Sequence, residues 1–389
     1  MQRFDVVIAG AGLPGLALAP ALARAGLTVA LADRLPIAAP EPDEASWDAR
    51  VYAISPGSAA FLANIGAWQA LPLARIQAVE AMRIAGDGSG ALAFSAYDLG
   101  ERALAWICEE RVLRAALLRA VHAAGVTLLG GVAFERLEWQ PQGAILTLGG
   151  GEALNARLIV GADGVRSWVR AQAGMLAVPR PYGQTAVVAN FSCAEPHRGC
   201  ARQWFRPDGS VLAWLPLPGR RLSMVWSAPD DAAARLLAQD GEHLADTVAG
   251  AGGRTLGRLS LLGPAAAFPL QYLRLPTSIA HRLALVGDAA HGLHPLAGQG
   301  VNLGFGDAEA LAGVLAERGP VADPGAPVLL TRYARRRAEP VLAMQAVTDG
   351  LARLFGSTAP WLRVLRNAGL SAVDRLPVVK RVLAQPALR

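Results

Sequence analysis

The chain has 389 residues and a mass of 40.5 kDa, with 53% hydrophobic, 17% charged and 6% aromatic residues. That length suits two domains, or one carrying an insertion. The composition excludes a disordered chain, and 42 Gly and 26 Pro scattered without a repeat exclude collagen-like sequence. The net charge of +6 is unevenly placed: residues 332–389 hold eleven Lys and Arg against three Asp and Glu, leaving the rest at −2. A basic tail on a slightly acidic body points away from a nucleic-acid partner and toward an anionic membrane surface.

Residues 4–9 (FDVVIA) read as a buried strand, short, β-branched and apolar. Gly10-Ala11-Gly12-Leu13-Pro14-Gly15 follows, then a helical stretch over 16–25, a stop at Gly26 and a second strand over 27–31 that reaches Asp33. In that order the glycines have separate tasks. Gly10 permits the tight turn, Gly12 lets the backbone approach a pyrophosphate, and Gly15 lets the helix pack on the strand. The helix N-terminus offers free N–H groups to the phosphates, and Asp33 can accept from adenosine ribose hydroxyls. Pro20 predicts a kink or a special packing requirement. The uncharged stretch 6–23 imitates a signal peptide or membrane span, but its glycines and prolines interrupt both patterns.

A nicotinamide dehydrogenase could carry this opening. Two later segments differ. Leu158-Ile159-Val160-Gly161-Ala162-Asp163-Gly164 is a strand ending in a Gly-x-Asp-Gly turn, with Arg166 just beyond it. Leu283-Ala284-Leu285-Val286-Gly287-Asp288-Ala289-Ala290-His291 repeats the theme, then His294-Pro295 and Gly298-Gln299-Gly300-Val301-Asn302-Leu303-Gly304 open a helix. Between these turns, stretches 185–191, 201–205, 211–217 and 221–227 read as an antiparallel sheet with turns at Asp208-Gly209 and Pro218-Gly219. Cys108, Cys193 and Cys200 are too few for a disulfide framework and lack zinc spacing, so they read as buried, inert thiols of a reducing compartment. His291, His294 and Asp288 lack a third clear ligand, so no metal is expected and the histidines read as loop-fixing hydrogen bonders.

These segments resemble the FAD-dependent aromatic monooxygenases with the p-hydroxybenzoate hydroxylase fold, and are similar to the ubiquinone-biosynthesis hydroxylases. The similarity extends to residues 48–55 (DARVYAIS), 108–113 (CEERVL), 214–218 (WLPLP) and the C-terminal stretch from Gly369 to Lys380. It implies an α/β fold: a Rossmann-like FAD-binding domain, an inserted antiparallel β-sheet substrate domain and a C-terminal helical tail. The expected division gives the FAD domain residues 1–75, 101–177 and 275–340, the substrate domain 76–100 and 178–274, and the tail 341–389.

By the same resemblance Gly10, Gly12, Gly15, Asp33, Arg50, Arg111, Asp163, Asp288, Pro295, Gly298, Gly300, Val301 and Asn302 hold FAD. Asp163 and Arg166 tie the second loop beside the pyrophosphate. Trp204, Trp214 and Trp226 are the candidates for lining the substrate cavity, although core packing is the commoner fate of a strand tryptophan. The implied chemistry has NADH or NADPH reduce FAD, O2 activated at the flavin C4a carbon, and one oxygen passed to the aromatic ring of a polyprenyl phenol. No catalytic base is identifiable. Two alternatives stay open: a hydroxylase of a small soluble phenol or natural product, and a non-catalytic flavoprotein scaffold of a biosynthetic complex. The expected location is cytoplasmic, with peripheral association at the inner face of the membrane and a ubiquinone-biosynthesis complex as partner. In the tail, residues 333–355 read as a helix with Met344, Val347, Leu351 and Leu354 inward. After Pro360, Trp361, Leu362 and Leu365 alternate with Arg363 and Arg366, either as a packed helix with a solvated basic face or as a lipid-docking segment.

Overall fold

A computed structural model describes residues 2–39, 46–293, 298–319, 321–357 and 359–388. Along the chain, β1 (Gln2–Ala9) leads through the glycine loop to α1 (Leu13–Arg24) and β2 (Val29–Asp33). Next come β3 (Val51–Ile54), α2 (Pro56–Asn64), β4 (Ile76–Val79), β5 (Ala81–Ala85), β6 (Ala91–Ser95), α3 (Ala96–Leu99) and β7 (Ala105–Glu109). Helix α4 (Glu110–Ala123) precedes β8 (Thr127–Gly130), β9 (Phe134–Gln140), β10 (Gly143–Leu148), β11 (Ala153–Gly161) and α5 (Trp168–Gln172). The middle of the chain forms β12 (Arg180–Cys193), β13 (Cys200–Phe205), β14 (Val211–Leu217), β15 (Arg221–Pro229), α6 (Asp230–Leu237), α7 (Gly241–Ala251), β16 (Leu259–Leu261) and β17 (Ala266–Arg274). Short strands β18 (Ile279–Ala280), β19 (Leu283–Leu285) and β20 (His291–Gly292) lead to α8 (Gly300–Ala316), α9 (Pro327–Gly356), α10 (Pro360–Asp374) and α11 (Pro377–Leu388).

The parallel order β8-β2-β1-β11-β19 is the dinucleotide-binding core. Val6 and Ile8 of β1 pack with α1 and α8, while Val7 and Ala9 pack on the opposite side against the β9–β10 hairpin. Burial on both faces is why this strand is a continuous apolar run rather than an alternating one. Helix α1 continues through Pro20, which is buried in its interior face, so packing accompanies this proline.

The second sheet runs β17-β12-β15-β14-β13-β5-β6, and the four stretches read from alternation in the insertion are its centre. Its two faces differ. Val187, Phe191, Met224 and Trp226 meet α6 and α7 in an apolar core. Opposite-parity Asn190 faces the other way and donates from Nδ2 to the Asp48 carbonyl at 2.7 Å. A small sheet, β3-β7-β4, lies toward that inner face.

Helix α9 spans roughly 45 Å at 1.5 Å per residue and ties the two sheets together. Tyr333 donates to the Leu285 carbonyl at 2.7 Å near one end, and Phe355 stacks on Phe205, ring centres 3.7 Å apart, at the other. The inward residues differ from the expected set. Leu351 and Leu354 pack near Phe355, but Val347 is 54% exposed, and Gln345 and Thr348 are buried instead. Gln345 Nε2 caps the Leu273 carbonyl at 2.9 Å, so a satisfied amide takes the place of an apolar contact.

Helix α10 overturns the reading of a packed helix with a solvated basic face. Its buried residues are Arg366 and Asn367, whereas Trp361, Val364 and Leu365 are exposed. Arg366 Nε donates to Asp87 Oδ1 at 3.0 Å and Nη1 to the Ser357 carbonyl at 2.8 Å. Asn367 Oδ1 accepts from Gly88 N at 3.1 Å and Gly90 N at 3.0 Å, and its Nδ2 donates to Asp87. A Cβ on Gly86 or Gly90 would collide with Asn367, so the glycine turn between β5 and β6 is shaped to receive it.

Candidate active site

Two kinds of glycine are present in the opening loop. A Cβ on Gly10, whose φ is +113°, would collide with the Ala162 carbonyl, and one on Gly15 would collide with the Gly10 carbonyl. Those two serve the protein's own packing. At Gly12 the nearest atoms to such a Cβ lie 3.9 Å away, and at Gly300 nothing lies within 4 Å. Gly298 combines φ +62° with a nearest contact of 3.6 Å to Ala53. The bare backbone at Gly12 and Gly300 therefore faces open space, as close approach by a bound pyrophosphate and a ring edge would require.

The three glycine motifs meet. Ala162 of the second lies under Gly10 of the first. Pro14 fills the space beside Gly287 and Gly304, where a Cβ would come within 3.0 and 2.7 Å of its Cγ. Asp33 orders the loop from the end of β2, accepting from Ala11 N at 2.5 Å and Leu35 N at 2.8 Å. Asp288 sits at the convergence, with solvent access but no hydrogen bond among the described residues. The surrounding protein desolvates its carboxyl and pushes its pKa up, against the pull of His291 and Arg50. An orphan carboxylate there fits a ribose or ribityl hydroxyl of FAD.

A buried polar frame holds this arrangement, and the sequence reading missed its centre. Asp307 on α8 accepts from Gly287 N at 2.9 Å, His291 Nε2 at 2.6 Å and Arg337 Nε at 2.6 Å. Arg337 also donates to the Leu303 carbonyl at 3.0 Å, linking α9 to the start of α8. Desolvation opposes ionisation of Asp307, but His291 and Arg337 prevail and hold its carboxyl below the usual range. His291 is thus a loop-fixing residue. A second missed residue is Arg114 of α4, whose Nη1 donates to the Ala11 carbonyl at 2.7 Å. The sequence signal was faint: Asp307 is one of two acids in the apolar run of α8, and Arg114 one of three arginines on the amphipathic α4.

Other expected site residues divide between cleft and frame. Asp163 Oδ2 accepts from Trp168 N at 2.7 Å and Val169 N at 3.1 Å, starting α5, while buried Oδ1 has no hydrogen-bond partner among the described residues. Arg166 is exposed, and the tie assigned to it is made by Arg170, which donates to the Val165 carbonyl at 2.8 Å and the Ala289 carbonyl at 2.9 Å. Arg50 pairs with Glu110 at 2.9 Å, lies 4.3 Å over the Phe268 ring and acts electrostatically on Asp288. Arg111 turns toward Ser46, donating to Oγ at 2.7 Å and to the carbonyl, and pairs with buried Glu109 at 3.3 Å. Asn302 spends its amide on the backbone, accepting from Ser55 N at 3.0 Å and donating to the Ala53 carbonyl at 2.8 Å. Val301 is buried beside it. His294 and Pro295 lie outside the described residues.

The three tryptophans are a correction. Trp214, 1% exposed, and Trp226 are buried in the core under α6 and α7, and Trp204 packs edge-on against Trp214 with centroids 4.9 Å apart. Strand parity sends all three to the helix-covered face, away from Asn190 and the cleft. The side chains between the cleft-facing sheet surface and β3 are instead mostly small or aliphatic, Val51, Ala53, Met82, Leu104 and Leu215, with Trp47 as an aromatic member of the same cluster. Among the described residues no cluster of His, Cys, Asp and Glu could hold a metal ion.

Residues 3–348 match the FAD binding domain family. The chain is 38% identical over 393 residues to ubiquinone hydroxylase UbiL of Rhodospirillum rubrum, covering 99% of this chain and 89% of that protein. It is 34% identical over 391 residues to 3-demethoxyubiquinol 3-hydroxylase of Escherichia coli, covering 100% and 99%. The crystal structure of PqsL from Pseudomonas aeruginosa in complex with 2-aminobenzoylacetate shares the fold, with a TM-score of 0.79, 24% identity and coverage of 95% and 99%. With three converging glycine motifs and a solvent-open aspartate at their meeting point, the chain belongs to the ubiquinone-biosynthesis hydroxylase family of FAD-dependent monooxygenases.

Proposed function

We propose that this protein hydroxylates the aromatic ring of a polyprenylated phenol in ubiquinone biosynthesis, with FAD bound, NAD(P)H as electron donor and O2 as oxygen source. The observation that carries the reading is the pairing of an open, glycine-lined cleft at Gly12, Gly300 and Asp288 with the aliphatic layer of Val51, Ala53, Leu104 and Leu215 beside it. Bound FAD would supply the redox and oxygen-transfer chemistry. The chain's own tasks are then to hold and orient. Gly12 and the N-terminus of α1 would face the pyrophosphate, with Asp33 and Asp288 for the ribose and ribityl hydroxyls. Gly298 and Gly300, at the start of α8, would place helix N–H groups against the ring edge, where a helix N-terminus favours negative charge. Arg50 would add a fixed cation on the same side. The aliphatic layer would exclude water around a prenylated ring.

The reading extends to a peripheral position on an anionic membrane, where a polyprenyl substrate resides. Its support is the inverted α10 together with α11, which expose Trp361, Val364, Leu365, Val378, Val382 and Leu383 beside Arg363, Arg375 and Arg381. Basic residues near such a surface contribute about 1 kcal/mol each. Among the described residues no helix is long and apolar enough to cross a membrane.

The test is turnover by full-length, FAD-loaded protein with a short-chain prenylphenol. Substrate-stimulated NAD(P)H consumption with a product one oxygen heavier is expected. Stimulation by simple soluble phenols alone would transfer the reading to the small-phenol alternative. A flavin-loaded protein with no turnover on either would favour the scaffold. Salt-sensitive flotation with anionic liposomes, lost on removing residues after Pro360, checks the membrane position.

A further inference from the structure

The outer face of the second sheet carries an arrangement that the flavin chemistry does not use. Strands β13 and β5 run parallel with Arg202 directly beside Arg83. Like charges at neighbouring positions on one sheet face are destabilising. Neither guanidinium forms a hydrogen bond or ion pair among the described residues, and the buried Nε of half-buried Arg202 has no partner. Other arginines of the surface, such as Arg235, Arg254 and Arg332, do have carboxylate partners. Two residues beyond Arg202, Trp204 projects on the same side. These residues border a cavity of about 290 Å³ floored by alanines of β5 and β6, with Thr255 and Asp374 at its edge. Asp374 does not neutralise the pair, because it accepts from Ala93 N at 3.0 Å and Lys380 Nζ at 2.9 Å.

From this geometry we infer that the cavity is a binding site for a phosphate monoester. Two adjacent guanidinium groups present forked donors that match phosphate oxygens. A dianion between the two guanidinium ends replaces their repulsion with attraction. The indole of Trp204 provides an apolar wall for the esterified group. The site opens on the face opposite Asn190 and the FAD cleft, so it is separate from the catalytic centre. Its position beside the end of α10 allows two sources for the same chemistry: a lipid headgroup or a soluble phosphate compound.

The experiment titrates inorganic phosphate into full-length, FAD-loaded protein by calorimetry in a phosphate-free, low-salt buffer, alongside R83Q and R202Q. Saturable binding at one site per chain is expected, weakened by about tenfold in each variant and by added salt. The flavin spectrum and turnover should be unchanged in both variants, which shows that they are folded. Vesicles of phosphatidylcholine with and without phosphatidate separate the sources. Arg202-dependent binding to the phosphatidate vesicles, competed by free phosphate, identifies a lipid headgroup. Phosphate binding with vesicle association indifferent to R202Q identifies a soluble ligand. Absence of saturable phosphate binding, or equal affinity in wild type and both variants, overturns the proposal.

Discussion

Helices α8 and α10 solve opposite problems. Helix α8 buries an apolar surface around one carboxylate, Asp307, and uses that carboxylate to fix the turn bearing Asp288. Helix α10 buries its polar residues, Arg366 and Asn367, and leaves its apolar residues outside. In the first, hydrophobic burial supplies stability and the ion network supplies position. In the second, the ion network is the attachment, and the apolar surface stays free for another environment. The contrast teaches that a buried charge can position a site or fasten a peripheral helix.

The comparison breaks most sharply at Asp307. Asp307→Ala leaves Arg337 uncompensated and frees Gly287 N, so a loss of about 3–5 kcal/mol in urea unfolding is expected, together with loss of bound flavin. The pH dependence has a definite sign. The folded-state pKa of Asp307 is depressed, so its contribution is present above the unfolded carboxylate pKa of about 3.9 and is lost as pH falls through the lower folded value. Acid titration of stability should therefore be shallower in the variant.

Arg366→Ala should act on a smaller region. Proteolysis and hydrogen exchange should rise in residues 360–388, while flavin affinity stays at the wild-type level. Replacing Arg366 and Asp87 together with apolar residues of similar volume should recover much of the protection, because an apolar pair leaves no charge stranded. Equal damage to the flavin site would remove the distinction between the helices.

Asp288→Asn sharpens the account of the cleft. The folded pKa of Asp288 is raised, so its ionisation weakens the flavin-free fold as pH rises above the unfolded value and through the folded one. Because Asp288 is open to solvent, the change in flavin-free melting temperature should be small, while FAD binding weakens about tenfold through loss of a charge-assisted hydrogen bond. The smallest effect concerns Cys108, which is buried and whose thiol is pushed up to about 12 by desolvation. It should resist thiol reagents in the folded protein and react after unfolding, as mass spectrometry of labelled peptides would show.

The glycine motifs were legible in the sequence because glycine marks backbone that must either pack closely, as at Gly10 and Gly15, or stay bare toward a ligand, as at Gly12 and Gly300, and the motif order carried the topology of the parallel sheet. Alternation revealed β12 to β15, since each strand separates a core face from a cleft face. It could not say which face was which, so Trp204, Trp214 and Trp226 stood as cavity candidates beside the commoner reading of core packing, which is what the fold gives them. The phase of α9 and the orientation of α10 were missed for a common reason. Hydrophobic periodicity assumes that apolar residues point inward, whereas Gln345 and Arg366 are buried on partners 72 and 279 positions away. Arg114 and Asp307 were hidden similarly, because their partners, the Ala11 carbonyl for one and Gly287 N, His291 and Arg337 for the other, are brought near only by the fold.

The central claim is that the three motifs grip one flavin. The most direct measurement is titration of flavin-free, full-length protein with FAD, followed by flavin fluorescence, for wild type, Asp33→Ala, Asp288→Ala and the double variant. The account predicts one FAD per chain and weaker binding in each single variant, with the double variant weakest. FAD binding at wild-type affinity in the Asp288→Ala protein, or two independent sites each sensitive to a different aspartate, would contradict it.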